Sequence, residues 1–261
     1  MTLFFHELRR ARLSLIIWTG VIAFMLGVCV MIYPEMSAQM EDVSQMFSDM
    51  GSFSAAFGMD QLNFGEFMGY FGIECGNVLG IGGALFAAIT GVTALSKEEK
   101  DRTAEFLLTH PISRTRVITQ KLMSVVAQIV ILNAIVAAVT ALCIAVIGES
   151  ADVQAVTLLL LSYLLLQLEI AAITFGVSAF LKGNGIGIGL GLAMMLYFLN
   201  IVANLTEEAE VLKYVTPFGY TDSAYIINEH ALKGEYLAVG AVLTVIGIAA
   251  AYWKYRKKDI A

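Results

Sequence analysis

Six apolar stretches, each long enough to cross a bilayer as a helix, leave this chain few folds to choose from. They run over residues 15–33, 67–95, 122–147, 155–181, 185–205 and 236–253. A hydrocarbon core of roughly 30 Å needs about 20 helical residues to span it. In lipid every backbone donor and acceptor must be satisfied inside the protein, so an open strand is excluded and each stretch is expected to be a helix. The expected fold is an all-α integral membrane protein, one transmembrane domain over residues 1–261. Composition agrees: 58% of residues are hydrophobic and 15% charged, with a mean hydropathy of +0.77, against roughly 45–50% apolar and 25% charged in soluble domains.

Charge is sorted between the two sides. Fourteen of the 16 Lys and Arg residues fall before the first span, between the second and third, between the fourth and fifth, or after the sixth. The opposite loops carry only Lys213 and Lys233, with fourteen carboxylates, among them Glu35, Glu41, Asp42, Glu149, Asp152 and Glu210. By the positive-inside rule both termini and the basic loops are expected in the cytoplasm, in a multi-pass protein of the cell membrane. A cleavable signal is disfavoured, because the run from Leu15 to Tyr33 is too long and lacks a small-x-small exit. Val28 before Cys29 likewise disfavours a lipoprotein signal.

Several chemistries find no support. Cys29, Cys75 and Cys143 each lie inside a span and form no CxxC pair, so they read as small core residues. His6, His110 and His230 are scattered over both faces, and no metal site is expected. No GxxxxGK[ST] loop occurs, and the glycine-rich GNGIGIGLG at 183–191 follows no strand. No catalytic residue and no resident cofactor are therefore expected on this chain.

Residues 2–13, TLFFHELRRARL, set Leu3, Phe4, Phe5 and Leu8 against Glu7, Arg9, Arg10 and Arg12, which predicts a short amphipathic helix at the cytoplasmic interface or a charged flank that only fixes topology. In the outer loop 34–66, Met36, Met40, Val43, Met46, Phe47, Met50, Phe53 and Phe57 recur at helical spacing and predict an amphipathic helix over the outer mouth. Residues 206–235 are long enough for one or two short outer helices before the last span, broken near Pro217 and Gly219, with Tyr214, Tyr220 and Tyr225 suited to an interface belt.

Within the spans, Gly72, Gly76 and Gly80, and again Gly183, Gly187 and Gly191, repeat every four residues, a spacing that lets helix backbones approach closely in lipid. It serves packing within the chain or pairing with a second chain, and the spacing alone does not choose. Two carboxylates stand in apolar context, Glu74 in YFGIECGNVLG and Glu169 in LLLQLEIAAITFG. A charge at mid-bilayer costs at least about 2.5–3.5 kcal/mol, so each is expected to face the bundle interior, a cavity or a polar partner. They lie about 10 Å and about 21 Å below the outer starts of their spans at 1.5 Å per residue. A translocation-path or proton-relay role stands beside a packing role in which Asn77, Gln128, Asn133 or Gln167 holds the acid.

The longest cytoplasmic loop opens SKEEKDRTAEFLLTHP. Ser96 and Glu99 make the S-x-x-E pattern of a capping box, which predicts a helix start. Pro111 ends it, because the residue before proline is pushed out of helical geometry. Glu98 and Arg102 are a favourable i,i+4 pair. Thr103, Phe106 and Leu107 share one side, an apolar edge that lipid cannot cover and a protein groove could.

KEEKDRTAEFLLTHPISRTRVITQKL resembles the corresponding loop of ABC-2 type permeases, the membrane subunits of ABC exporters. Thr103, Glu105, Leu107, Leu108, Pro111, Ile112, Ser113, Arg114 and Lys121 occupy the family's Thr-x-Glu-x-Leu-Leu, Pro-[Val/Ile]-Ser-Arg and Lys positions, while Arg102 stands where the family often has Gly. The resemblance implies a coupling helix between spans 2 and 3 that docks on a separate ATP-binding subunit, with Glu98, Glu99, Arg102, Thr103, Glu105, Phe106, Leu107, Leu108, Pro111, Ser113 and Arg114 at the contact. It further implies ATP and Mg on that partner, and a second permease chain, identical or paralogous, around the substrate route. The alternatives are a proton-coupled secondary transporter using Glu74 or Glu169, and a membrane scaffold that transports nothing. The substrate is not legible.

Overall fold

The computed structural model describes residues 2–49, 51, 54, 56, 61–63, 65–97 and 113–257. Among these residues every regular element is helical. Six helices are long and apolar enough to cross a membrane, with candidate spans Leu3–Ser37, Phe67–Thr93, Arg114–Ile147, Val153–Ser178, Ile186–Ala203 and Gly234–Lys257. We call the helices α1 (Thr2–Asp49), α2 (Phe67–Thr93), α3 (Arg114–Ile147), α4 (Val153–Ser178) and α5 (Ile186–Ala203). Two short 3-10 turns (Glu207–Tyr214 and Pro217–Tyr220) and α6 (Ser223–Glu229) then precede α7 (Gly234–Lys257).

The first helix differs most from expectation. The N-terminal amphipathic segment is not a separate element: α1 is continuous for 48 residues through the first span and into the loop beyond it. Nothing between Leu13 and Leu15 breaks a helix, and Pro34, which lacks a backbone donor and crowds the carbonyl four residues back, lies inside α1 without ending it. At 1.5 Å per residue α1 is about 70 Å long, more than the roughly 40–45 Å of a whole bilayer, so it extends beyond the membrane. The amphipathic side chains expected in residues 38–50 and at Phe53 and Phe57 lie outside the described residues.

Helix α3 starts at Arg114, eight positions before its apolar run. Ser113 is in extended geometry and its hydroxyl accepts from the Arg116 N–H at 3.3 Å, which satisfies one of the orphan donors of the first turn. Asp152 does the same for α4, accepting from Gln154 and Ala155 at 2.9 and 3.1 Å.

Half or more of α2 and α4 is buried, against a third or less of the other spans. These two are therefore the inner pair, and α4 packs on α2, α3 and α7. Small residues set the closeness of α4 and α7: a Cβ on Gly176 would meet the Gly247 carbonyl at 2.6 Å, and one on Gly247 the Ala172 carbonyl at 2.6 Å. The two glycine stripes part company. Gly76 and Gly80 pack under the Tyr163 side chain and Gly72 under Ser223 and Ile227, whereas Gly183, Gly187 and Gly191 meet nothing within 4 Å among the described residues. The middle of α2, Gly76–Gly83, is wound as a π-helix, a rare form that is frequent at functional sites.

At the acidic end His230 Nε2 lies 2.6 Å from Asp152 Oδ2, joining the α3–α4 turn to α6. This contact holds the Asp152 carboxyl below the usual carboxylate range, helped by the Ala155 N–H. A lowered carboxyl pKa contributes stability that is complete above the unfolded value and is lost as pH falls through the folded one. Asp152→Ala is therefore expected to lower the thermal midpoint at neutral pH, modestly because the pair is exposed and screened. The gap from wild type should close on acidification below about pH 4. Asp152→Asn keeps a capping oxygen and should fall between the two.

Candidate functional site

The expected contact helix, with Glu98, Glu99, Arg102, Thr103, Glu105, Phe106, Leu107, Leu108 and Pro111, lies outside the described residues. Its two edges are described, and both are tied down. On the first edge Ser96 is buried and its hydroxyl donates to the Val92 carbonyl at 3.0 Å, binding it back onto the end of α2. Lys97 then pairs with Glu7 Oε2 at 3.4 Å. The same carboxylate takes Lys121 of α3 on Oε1 at 3.2 Å, and Lys121 also donates to the Ala94 carbonyl at 2.8 Å. Lys121 is 1% exposed, so this lysine, read from sequence as the opening of the third span, is a buried bolt between α1, α2 and α3. The Phe4 N–H donates to Gln120 Oε1 at 3.2 Å beside it.

On the second edge Arg114 reaches the far end of the chain. Its guanidinium donates to the Arg256 carbonyl at 3.2 Å and the Tyr255 carbonyl at 3.5 Å. These carbonyls belong to the last described turn of α7, where the negative end of a helix dipole favours a cation. One turn on, the Thr119 and Tyr252 hydroxyls lie 2.7 Å apart. The loop is thus fastened to α1 through Lys97 and to α7 through Arg114, besides the two helices it joins.

Glu7 was not singled out from the sequence. The signal was available: it is the one carboxylate in a basic N-terminal segment, and burial of an acid there needs cations. Its two partners stand 90 and 114 positions away, which no local pattern encodes.

The two intramembrane carboxylates face different neighbours. Glu169 is 3% exposed; Oε2 accepts from the Tyr220 hydroxyl at 2.8 Å, and Oε1 has no hydrogen-bond partner among the described residues. A Cβ at Gly240 would collide with this carboxyl, so the glycine of α7 makes its seat. The amides considered as its partners are used elsewhere: Asn133 donates to Gln167 at 2.7 Å, and Gln128 folds back onto Ser124. Tyr220, expected in an interface belt, is 2% exposed. The 3-10 turn that carries it is pulled into the bundle by Thr216, whose hydroxyl donates to the Leu196 carbonyl at 2.8 Å, and by Phe218 against Tyr197. Glu74 is half-buried, and its Oε2 accepts from the Cys29 thiol of α1 at 3.5 Å. Next to it, Gly76 and Asn77 of the π segment line a polar cavity of about 280 Å³ at the acidic end, with Tyr163, Asn200 and Ser223.

The family model of the ABC-2 family transporter proteins matches nearly the whole chain, over residues 1–260. No curated protein matches the chain. With six helices among the described residues long and apolar enough to cross a membrane and a family match of that extent, this chain belongs to the ABC-2 transporter family and is a permease, the multi-pass membrane component of an ABC transporter.

Proposed function

We propose that the chain is the permease subunit of an ATP-driven exporter, lining the substrate route while a separate ATP-binding subunit, with ATP and Mg, supplies the power stroke. The observation that carries this reading is the double anchoring of the 98–112 loop, through Lys97 and Glu7 to α1 and through Arg114 to α7. A push on the loop would reach four helices at once, which is what a coupling element needs. In this reading Glu98, Glu99, Arg102, Thr103, Glu105, Phe106, Leu107 and Leu108 present the docking edge, Pro111 ends it, and Ser113 and Arg114 restart the chain into α3. The basic end faces the cytoplasm of the cell membrane, with both termini inside. A second permease chain completes the route; the open strip at Gly187 and Gly191 on α5 favours close approach of another helix there.

Leu107→Asp and Glu105→Lys are expected to insert normally yet to lower co-purification of the ATP-binding subunit by roughly tenfold, the equivalent of about 1.4 kcal/mol, and to uncouple its ATPase from transport. Normal assembly and full transport in both variants would remove the coupling role from this loop. The competing reading, a proton-coupled secondary transporter using Glu74 or Glu169, draws on the unpartnered Glu169 oxygen. It requires transport in vesicles driven by a proton gradient with no ATP and no partner.

A further inference from the structure

Helices α3 and α4 bound a groove of about 760 Å³, within the roughly 300–1,000 Å³ common for ligand sites. Small side chains hollow it out: Ala137, Ala141 and Ala145 recur every four residues along α3, and Val156, Leu160 and Leu164 of α4 line the other wall. Val130, Val153 and Leu161, also in its lining, are 43%, 76% and 41% exposed, so the groove is open on the lipid side. Its polar side chains below the mouth have spent their hydrogen bonds. Asn133 donates to the Ile129 carbonyl at 2.9 Å and to Gln167 at 2.7 Å, and the Thr157 hydroxyl donates to the Val153 carbonyl at 2.7 Å. What remains for an occupant is apolar surface.

Depth and charge say what that occupant is. The lining runs from Val130 to Ala145 on α3, about 22 Å, and from Val153 to Leu164 on α4, about 17 Å. One acyl chain covers half of a hydrocarbon core of roughly 30 Å, whereas a helix of a second chain covers all of it. The groove is deep enough for the first and too short to follow the second. An apolar wall gains little by exchanging one lipid tail for another, so selection rests on the mouth. There Gly148 ends α3 at φ 72°, its N–H on the Ile144 carbonyl at 3.2 Å, and Glu149 follows on the groove lining. The chain supplies this carboxylate with no cation. Lys213 and Lys233, the only basic residues of the acidic-side loops, pair with Glu210 at 3.7 Å and Asp222 at 3.0 Å, and His230 pairs with Asp152. Tyr33, close enough to feel the Glu149 charge, gives its hydroxyl proton to the Gly65 carbonyl at 2.8 Å. A headgroup ammonium arriving at this level meets a carboxylate able to accept a charge-assisted hydrogen bond.

We propose that the α3–α4 groove holds one acyl chain of an ethanolamine phospholipid from the leaflet at the acidic end, with the headgroup ammonium on Glu149. A choline headgroup brings the same positive charge without an N–H, and an anionic glycerol headgroup is repelled by the carboxylate. The site therefore ranks phosphatidylethanolamine above phosphatidylcholine, and phosphatidylcholine above phosphatidylglycerol. It requires neither an ATPase nor a transported substrate, so it stands or falls apart from the exporter reading.

The test reconstitutes the full-length chain in nanodiscs holding the three phospholipids in equal parts. Native mass spectrometry of the released protein counts retained lipids and copies of the chain together, and thermal unfolding checks that each variant is folded. Wild type should retain phosphatidylethanolamine over phosphatidylcholine by roughly tenfold, the discrimination expected of one charge-assisted hydrogen bond. Glu149→Gln, in the exposed connection after α3, should fold as wild type and erase that preference. Ala141→Phe, at an exposed position of α3, fills the groove and should release the bound lipid whatever its headgroup. No preference for phosphatidylethanolamine in wild type, or a preference unchanged in Glu149→Gln, overturns the proposal. So does an Ala141→Phe protein that keeps its lipid, or one that loses a second copy of the chain in place of the lipid, which would make the groove a contact between chains.

Discussion

Glu169→Gln keeps both folding and transport, whereas Glu169→Ala destabilises the bundle on the order of 3 kcal/mol. The glutamine keeps the volume between α4 and α7 and an oxygen able to accept from the Tyr220 hydroxyl, now 2.8 Å from the carboxyl. Alanine empties a site that Gly240 was shaped to accommodate and leaves the Tyr220 hydroxyl, 2% exposed as a residue, without its acceptor. Both losses act on one joint, because the turn bearing Tyr220 is what seats the acidic-end helices on α4. Gly240→Ala tests the same joint from the other side: its methyl group drives into the carboxyl, an overpacking cost of about 1–3 kcal/mol. Thermal unfolding of the purified protein in detergent reads the stability difference, and ATP-driven transport in vesicles reads the function. A glutamine variant that folds but does not transport would show that the proton on this residue matters, and would move the protein toward a proton-coupled mechanism.

What the sequence revealed and what it hid divide along physical lines. Apolar runs of about 20 residues located all six membrane helices, because lipid imposes that length on any spanning segment. The ends of those helices were not legible in the same way: hydropathy marks where lipid begins, while Ser113 starts α3 well before that, and α1 continues past Tyr33 and Pro34 because no cap stops it. Glycine spacing announced two small faces and could not say what covers them; one lies under Tyr163 and the other is open. The Thr-x-Glu-x-Leu-Leu stretch pointed to the family, since a local motif carries its own signal. The groups that pin the loop edges and the buried acid came from partners far away in sequence, 51 positions for Tyr220 and Glu169 and 141 for Arg114 and Tyr255. Periodicity is silent about such pairs, and a buried charge tells only that some partner must exist.

That requirement makes the Glu7 cluster unequal in its response to substitution. Glu7→Ala removes the carboxylate from Lys121, which is 1% exposed, and from Lys97 at the same time; breaking a buried ion pair from one side costs about 3–5 kcal/mol. Lys121→Met is milder, because Glu7 keeps Lys97 at 3.4 Å and the methionine stem fills the space left by the lysine chain. The double variant Glu7→Leu/Lys121→Met should recover part of the Glu7→Ala loss, since neither charge then remains to be solvated, and such replacements are often neutral or better. Stability alone would not separate a brace from a transmitter, so the same series is measured for ATP turnover per transport event with the ATP-binding subunit present. If the cluster passes motion from the loop to α1, the double variant is more stable than Glu7→Ala and still wastes ATP. Full recovery of both would reduce the cluster to a fastening, and a Glu7→Ala protein as stable as wild type would contradict the buried pair itself.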